Sequence, residues 1–368
     1  MKYYIIAGEA SGDLHGANLI KEIKKKDSKA IIRCWGGDLM ESEGAVVVKH
    51  IKDLAFMGFW EVILNIKSII NNLSFCKKDI IEFSPDAIVY IDYPGFNLRI
   101  AKWAKNFSFN NHYYISPQVW AWKESRVKIL KECLNNLYVI LPFEKKYFNE
   151  KHSLNVEYVG HPLVEHLLKL KKDTHFIEKY NLDRKKEIIT LMPGSRKQEI
   201  KKILPIFIDV VNKFKSYQFV IAAAPSIESE FYLSIVKNNS IKIIHDNTYN
   251  LLIHSKAALV TSGTATLETA LLKIPQLVCY KTSFVSFFIA KRLVKLNYIS
   301  LVNLILNKEV VKELIQKNCN AKKITEELKE LLMRKNKSIL KEYELLFKKI
   351  GNNKASKITS KLIINSIK

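Results

Sequence analysis

The chain has 368 residues, 48% of them hydrophobic and 26% charged, which excludes a wholly disordered chain, a collagen or mucin, and a disulfide miniprotein. Lys and Arg number 59 against 36 Asp and Glu, a net charge of +23; the surplus suits a polyanionic partner such as nucleic acid, an anionic lipid surface or a phosphorylated substrate, and equally suits an AT-biased genome that inflates Lys without function. No stretch approaches the ~20 uninterrupted apolar residues of a membrane-spanning helix, and the apolar run Ala55–Trp60 is broken by Glu61.

Short β-rich runs alternate with helical stretches along the chain. Tyr3–Ala7 reads as a strand, Leu14–Lys26 as a helix, and Ala30–Trp35 as a strand ending at Gly36-Gly37. Ala87–Ile91, His112–Ile115, Leu137–Leu141 and Val156–Val159 continue the series. After Pro162 the rhythm restarts with Glu187–Met192, Gln218–Ala223, Ile241–His245, Ala257–Thr261 and Gln276–Tyr280. Such alternation predicts parallel sheets covered on both faces. Two series predict two Rossmann-like α/β domains: residues 1–163, residues 164–337, and C-terminal helices over 338–368 that could pack back on the first domain. The five cysteines are far apart and form no CxxC pair, so they read as reduced structural thiols rather than as disulfides or a zinc site. Lys2 is followed by only a few apolar residues before Gly8 and Glu9. This is no signal peptide, and a cytoplasmic location is expected.

Open α/β sheets bind ligands at the carboxyl ends of their strands. The first such loop is Gly8-Glu9-Ala10-Ser11-Gly12-Asp13-Leu14-His15-Gly16. It is neither GxGxxG nor a P-loop. A tight strand-helix turn capped by Ser11 or Asp13 accounts for its glycines and one polar residue, but not for Glu9, Ser11, Asp13 and His15 together. Asp92 follows the run Ala87–Ile91 directly. It is placed either for general-base work or for capping a Pro-Gly turn. In the second half, Arg196 in Met192-Pro193-Gly194-Ser195-Arg196 can pair with a diphosphate, or sit solvated beside a turn. Ser262-Gly263-Thr264-Ala265-Thr266 opens a helix as an anion-friendly turn, and Glu268 one turn on could accept from ribose hydroxyls, or act as a plain dipole partner.

Phe59, Trp60, Val62, Ile63, Leu64, Ile66, Ile69, Ile70 and Leu73 build an apolar stripe against Asn65, Lys67, Ser68, Asn71 and Asn72. The stripe predicts an amphipathic helix that covers either the first sheet or a membrane surface. Phe284–Val294, with Lys291, Arg292 and Lys295, is a second candidate for the same role.

Several strings occur in the order of one family. They include Gly8 to Asp13, Ile91-Asp92-Tyr93-Pro94-Gly95-Phe96-Asn97, Tyr114-Ile115-Ser116-Pro117-Gln118-Val119-Trp120-Ala121-Trp122 and Leu141-Pro142-Phe143-Glu144. Gly160-His161-Pro162, Pro193 to Arg196, Ser262 to Glu268 and Tyr298-Ile299-Ser300-Leu301-Val302-Asn303 complete the set. Through them the chain resembles the lipid-A-disaccharide synthase family. The resemblance implies a GT-B glycosyltransferase with two Rossmann-like domains facing a cleft and a helical C-terminus. It implies UDP-2,3-diacylglucosamine as donor and 2,3-diacylglucosamine 1-phosphate as acceptor. The product is a β-1,6-linked disaccharide 1-phosphate on the way to Gram-negative lipid A, with UDP released. No metal or organic cofactor is implied.

On this resemblance Glu9, Ser11 and Asp13 fall on the acceptor-side loop and Asp92 on the general base. Arg196, beside Ser195, falls on a diphosphate contact. Ser262, Gly263, Thr264 and Thr266 form the turn under the phosphates, and Glu268 holds the ribose. Tyr298, Ser300 and Asn303 line the donor side. Many members carry a second Asp where this chain has Gly95, and its loss here points to Asp92 as the carboxylate that the chemistry needs. Acylated substrates further imply a peripheral enzyme on the cytoplasmic face of the inner membrane, held by Phe59, Trp60, Ile63, Ile66 and Ile70. Monomer and homodimer stay open. A muramyl-type GlcNAc transferase or a UDP-sugar 2-epimerase would share the UDP-binding half. A basic nucleic-acid-binding protein is suggested by charge alone, without a supporting motif.

Overall fold

The computed structural model describes residues 1–54, 66–168, 170–237, 241–283, 287 and 296–367. The chain divides into two compact units: residues 1–165 with 352–368, and residues 166–351.

The first unit is built on a seven-stranded parallel sheet: β1 Lys2–Ile6, β2 Ile31–Gly36, β3 Val46–His50, β4 Ala87–Ile91, β5 Asn110–Tyr114, β6 Asn136–Val139 and β7 Glu157–Tyr158. Its order is β3-β2-β1-β4-β5-β6-β7. Both faces of the central strands are covered, so they are buried without alternation; all five residues of β4 are buried. Within β1, Tyr4 and Ile6 enter one core with Trp35 and Tyr90, while Tyr3 and Ile5 enter the opposite core. That opposite core also takes Ala355, Ile363 and Ile364 from the helix Ala355–Ile367. Ser356 anchors this last helix by donating from Oγ to Glu165 Oε2 at 2.7 Å.

The second unit holds a six-stranded parallel sheet: β8 Glu187–Met192, β9 Tyr217–Ala222, β10 Lys242–Ile244, β11 Ser255–Thr261, β12 Gln276–Tyr280 and β13 Lys312–Ile315. Its order, β10-β9-β8-β11-β12-β13, repeats the pattern of the first. The helix Asn336–Ile350 belongs here. Buried Gln276 donates from Nε2 to Thr266 O and to Tyr343 Oη, at 2.8 and 3.2 Å. Lys349 Nζ donates to Ile305 O at 2.6 Å. These bonds hold residues 338–350 to the second sheet, so the boundary read at 337 lies instead at 351, and only the last helix joins the first unit.

Two edge strands, β3 and β13, were not anticipated from the sequence. Each has just one neighbour, and an edge strand tolerates charge and exposure that hide its pattern. The first helix begins at Ala10 rather than Leu14. All five cysteines are free and buried. No described helix is long and apolar enough to cross a membrane.

Ile363 is fully buried between the last helix and the first sheet. Ile363→Ala should cost about 2–5 kcal/mol through lost burial and the cavity left behind, read as a lower urea midpoint for the first unit. A loss under about 0.5 kcal/mol would mean that the last helix is not part of this core.

Candidate functional site

Each sheet reverses direction once, between β1 and β4 in the first unit and between β8 and β11 in the second. Loops leaving the two strands at such a reversal diverge, and a crevice opens beyond their carboxyl ends. Glu9, Ser11, Asp13, Asp92, Ser195, Arg196 and the Ser262–Glu268 segment follow these four strands, whereas Tyr298, Ser300 and Asn303 lie between β12 and β13.

In the first unit the loop after β1 approaches the loop after β4 closely. A Cβ on Gly8 would collide with the ring of Tyr93, so glycine is needed there. Glu9 precedes the first helix in extended conformation and makes no side-chain cap. Glu9 and Ser11 are exposed. Asp13 is different. Its Oδ1 accepts from Gly37 N at 2.7 Å and Met40 N at 3.1 Å, and its Oδ2 from Leu39 N at 3.2 Å. The buried carboxylate is committed to the helix N-terminus after β2. Asp13, which the resemblance puts on the acceptor-side loop, braces that helix start from within.

Asp92 and Tyr93 both lie in the left-handed region, at φ 43° and 48°, and Ile115 after β5 lies there at 66°. Non-glycine residues pay about 1–3 kcal/mol each for such backbone, most plainly β-branched Ile115. Surrounding bonds hold the turn. Tyr113 Oη donates to Asp92 O at 2.5 Å, Asn97 Nδ2 donates to the same oxygen at 2.7 Å, and Asp92 N donates to Tyr114 O at 3.2 Å. Pro94 then starts a helix with its φ already suitable.

The result is a carboxylate at the strand end, exposed at its own surface yet set in a concavity where protein has displaced much of the bulk water. This partial desolvation is the main cause that pushes the Asp92 carboxyl up to about 6. The charge of Glu9 adds to the rise, and the Tyr93 backbone N–H opposes it.

Asp92 lines a cavity of about 200 Å³ with Ser116, Gln118, Trp122, Arg126 and Glu144. Glu144 is fully buried. It accepts from Ile140 N at 3.1 Å, Leu141 N at 2.8 Å and Trp120 Nε1 at 2.9 Å. Burial pushes its carboxyl up to about 7 against these donors. Sequence reasoning did not select Glu144 as a site residue. The signal was present, because a Glu three residues after a helix-preceding position is a capping-box spacing. His161 nearby in sequence is also buried, which pushes its imidazole down to about 3, helped by repulsion from His15. It stays neutral at physiological pH.

In the second unit, β8 and β11 are adjacent, with Met192 paired to Val260. The turns Pro193–Arg196 and Ser262–Thr266 therefore leave one edge together. Gly194 has φ +119°, where a side chain would meet Glu199. Arg196 is 73% exposed and donates from Nη1 to Glu199 Oε1 at 3.3 Å. An exposed pair of this kind is worth about 0–1 kcal/mol, so an anion could readily draw the guanidinium away. Ser195 and Thr264 are exposed. Thr266 Oγ1 donates to Gly263 O at 2.8 Å and stiffens the turn. Ser262 Oγ donates to Ile299 O at 2.9 Å, tying the turn to the 298–303 segment. Glu268 accepts from Tyr249 Oη at 3.1 Å through Oε1. Burial raises its carboxyl above the usual range, with the Tyr249 bond opposing.

Tyr298 is half-buried, while Ser300 and Asn303 are fully buried. Ser300 Oγ donates to Glu313 Oε1 at 2.8 Å. Asn303 Nδ2 donates to Val311 O and to Glu313 Oε1, both at 2.8 Å, and its Oδ1 accepts from Val310 N and Val311 N. These side chains frame the 298–303 segment from within. Glu313, which no sequence motif flagged, organises that frame. Phe59, Trp60 and Ile63 lie outside the described residues, as does Phe284–Val294 apart from Phe287. Ile66 begins the helix Ile66–Phe83, and Ile70 on it is 55% exposed. Among the described residues, no group of three or more His, Cys, Asp or Glu is placed to hold a metal ion.

Against known proteins, the family model described as lipid-A-disaccharide synthetase matches residues 3–364. The lipid-A-disaccharide synthase of Coxiella burnetii (strain CbuG_Q212) is 33% identical over 369 residues, covering 99% of this chain and 98% of that protein. Among solved structures, the UDP-GlcNAc 2-epimerase from Neisseria meningitidis bound to UDP-GlcNAc superposes with a TM-score of 0.72 at 14% identity, covering 99% of this chain and 100% of that one. The glycotransferase of kitacinnamycin gives 0.68 at 10% identity, covering 100% and 99%. At such identities the structural likeness establishes the α/β GT-B fold and nothing about activity.

Proposed function

The chain belongs to the lipid-A-disaccharide synthase family, and from that premise we propose how its two half-sites carry out the reaction. It is a glycosyltransferase of lipid A biosynthesis. The donor is UDP-2,3-diacylglucosamine and the acceptor is 2,3-diacylglucosamine 1-phosphate. Asp92 takes the proton from the acceptor 6-hydroxyl as that oxygen attacks the donor's anomeric carbon. The bond from this carbon to the UDP oxygen breaks, its electron pair leaves on the diphosphate, and the configuration inverts. The reading is carried by one observation: a carboxylate held at a strand end in strained backbone, with its carboxyl raised to about 6. That value leaves it ionised at physiological pH yet basic enough to accept a proton.

Arg196 and the N–H groups of the turn Ser262–Thr266 stabilise the departing diphosphate, and Glu268, through the oxygen not used by Tyr249, holds the ribose. Fixed dipoles and a guanidinium neutralise the leaving charge, so the transfer proceeds without a metal. Glu9 acts through the field it exerts on Asp92. Asp92→Asn should keep UDP affinity in calorimetry while turnover falls by about 10²–10⁴-fold, the usual worth of general-base help. Arg196→Ala should weaken UDP about tenfold. Near-normal turnover in the first variant would remove the base, and unchanged affinity in the second would move the diphosphate elsewhere.

The enzyme meets its acylated substrates as a peripheral protein at the cytoplasmic face of the inner membrane, through Phe59, Trp60, Ile63, Ile66 and Ile70. The exposed Ile70 and Ile81, on one face of the helix Ile66–Phe83, support this. Ile70→Ser should reduce co-sedimentation with phosphatidylglycerol-containing liposomes and leave the thermal transition in place. Equal sedimentation would exclude this helix as the anchor.

A further inference from the structure

The cavity beside Asp92 contains a cation that the reaction scheme above does not use. Arg33, Arg184 and Arg196 pair with carboxylates. Among the described residues no carboxylate pairs with Arg126. Its guanidinium lies instead over the ring of Trp122, 5.5 Å from the centroid, and Lys123 Nζ is 4.4 Å from the same ring. Trp122 is 46% exposed and lines the cavity together with Arg126 and Asp92. The ring attracts and orients both cations without neutralising them. The cavity's other acid, Glu144, is fully buried and spends its oxygens on three N–H donors. What remains open beside Asp92 is therefore a positive fork next to an aromatic plate.

We propose that Arg126, braced by Trp122, binds the anomeric phosphate of the acceptor, so that this cavity selects a phosphorylated sugar over its unphosphorylated counterpart. The inference rests on the functional reading above and deepens it. Of the two substrates, only the acceptor carries a phosphate monoester; the donor's diphosphate belongs to the strand ends of the second unit. In the acceptor ring, C1 and C5 flank the ring oxygen, so the 1-phosphate and the 6-hydroxyl share one edge of the sugar. Asp92 and Arg126 line the same cavity, so one bound sugar meets both the base and the guanidinium. The planar fork suits a phosphate bidentately, and Trp122 holds that fork in place.

The test compares 2,3-diacylglucosamine 1-phosphate with 2,3-diacylglucosamine as acceptors, using the full-length chain. Wild type should prefer the phosphorylated acceptor. In Arg126→Gln, kcat/KM for that acceptor should fall about tenfold to a hundredfold, the scale of lost charge-assisted hydrogen bonds. The rate with the unphosphorylated acceptor and the affinity for UDP should stay unchanged, so the preference collapses. Arg126→Lys, which keeps the charge and loses the fork, should fall between the two and carries the test if the Gln variant does not fold. A preference retained in both variants, or a loss confined to UDP affinity, would overturn the assignment of Arg126 alone. Absence of transfer by the wild-type chain to either acceptor would overturn the functional reading and this inference with it.

Discussion

The reversal of strand order in each sheet is the constraint from which the rest of the structure follows. Parallel strands buried on both faces cannot present side chains sideways, so chemistry is confined to their ends. At β1 and β4 the reversal places Gly8 against Tyr93 and brings Glu9 within the field of Asp92. At β8 and β11 it sets Arg196 and the Ser262–Thr266 turn on one edge. Left-handed backbone at Asp92, Tyr93 and Ile115 is the local cost of turning so sharply from buried strands. The Tyr113 and Asn97 bonds to the Asp92 carbonyl offset part of it.

Electrostatics then separates the acidic groups by task. Asp92 is exposed but poorly solvated, beside another carboxylate, and is raised to about 6. Asp13 is buried and answered by three main-chain N–H groups, which makes it a structural brace. Glu144 is buried with three donors and ties the Trp120 segment to the start of the helix at Pro142. Three carboxylates of similar intrinsic acidity differ in role because their solvation and partners differ.

Much of this was legible in the sequence. The central strands were visible because burial on both faces leaves continuous apolar runs, and the post-strand loops stood out by position. The family resemblance carried by the Ser116-Pro117-Gln118-Val119-Trp120-Ala121-Trp122 string and its companions is borne out by the family match over residues 3–364. What was not legible depends on partners distant in the chain. Asp13 meets Gly37, Leu39 and Met40, and Asn303 meets Glu313. A polar residue after a strand looks the same in sequence whether it faces substrate or a neighbouring loop. The domain ending at 351 was hidden for the same reason: Tyr343 is bonded to Gln276, 67 residues earlier. The edge strands β3 and β13 carry Lys49, His50, Lys312 and Glu313, charges that an outer strand accepts and a central one does not.

Asp92 as the proton acceptor, tuned by its recess and by Glu9, is best tested by the pH dependence of kcat/KM with 2,3-diacylglucosamine, which has no phosphate monoester to titrate at about 6. A raised carboxyl is protonated, and so inactive as a base, below its pKa. The rate should therefore fall with unit slope as pH drops through about 6. Glu9→Gln removes a like charge and should move that limb to lower pH. A profile flat through 6, or a limb that Glu9→Gln leaves in place, would contradict the assignment of Asp92 as the base.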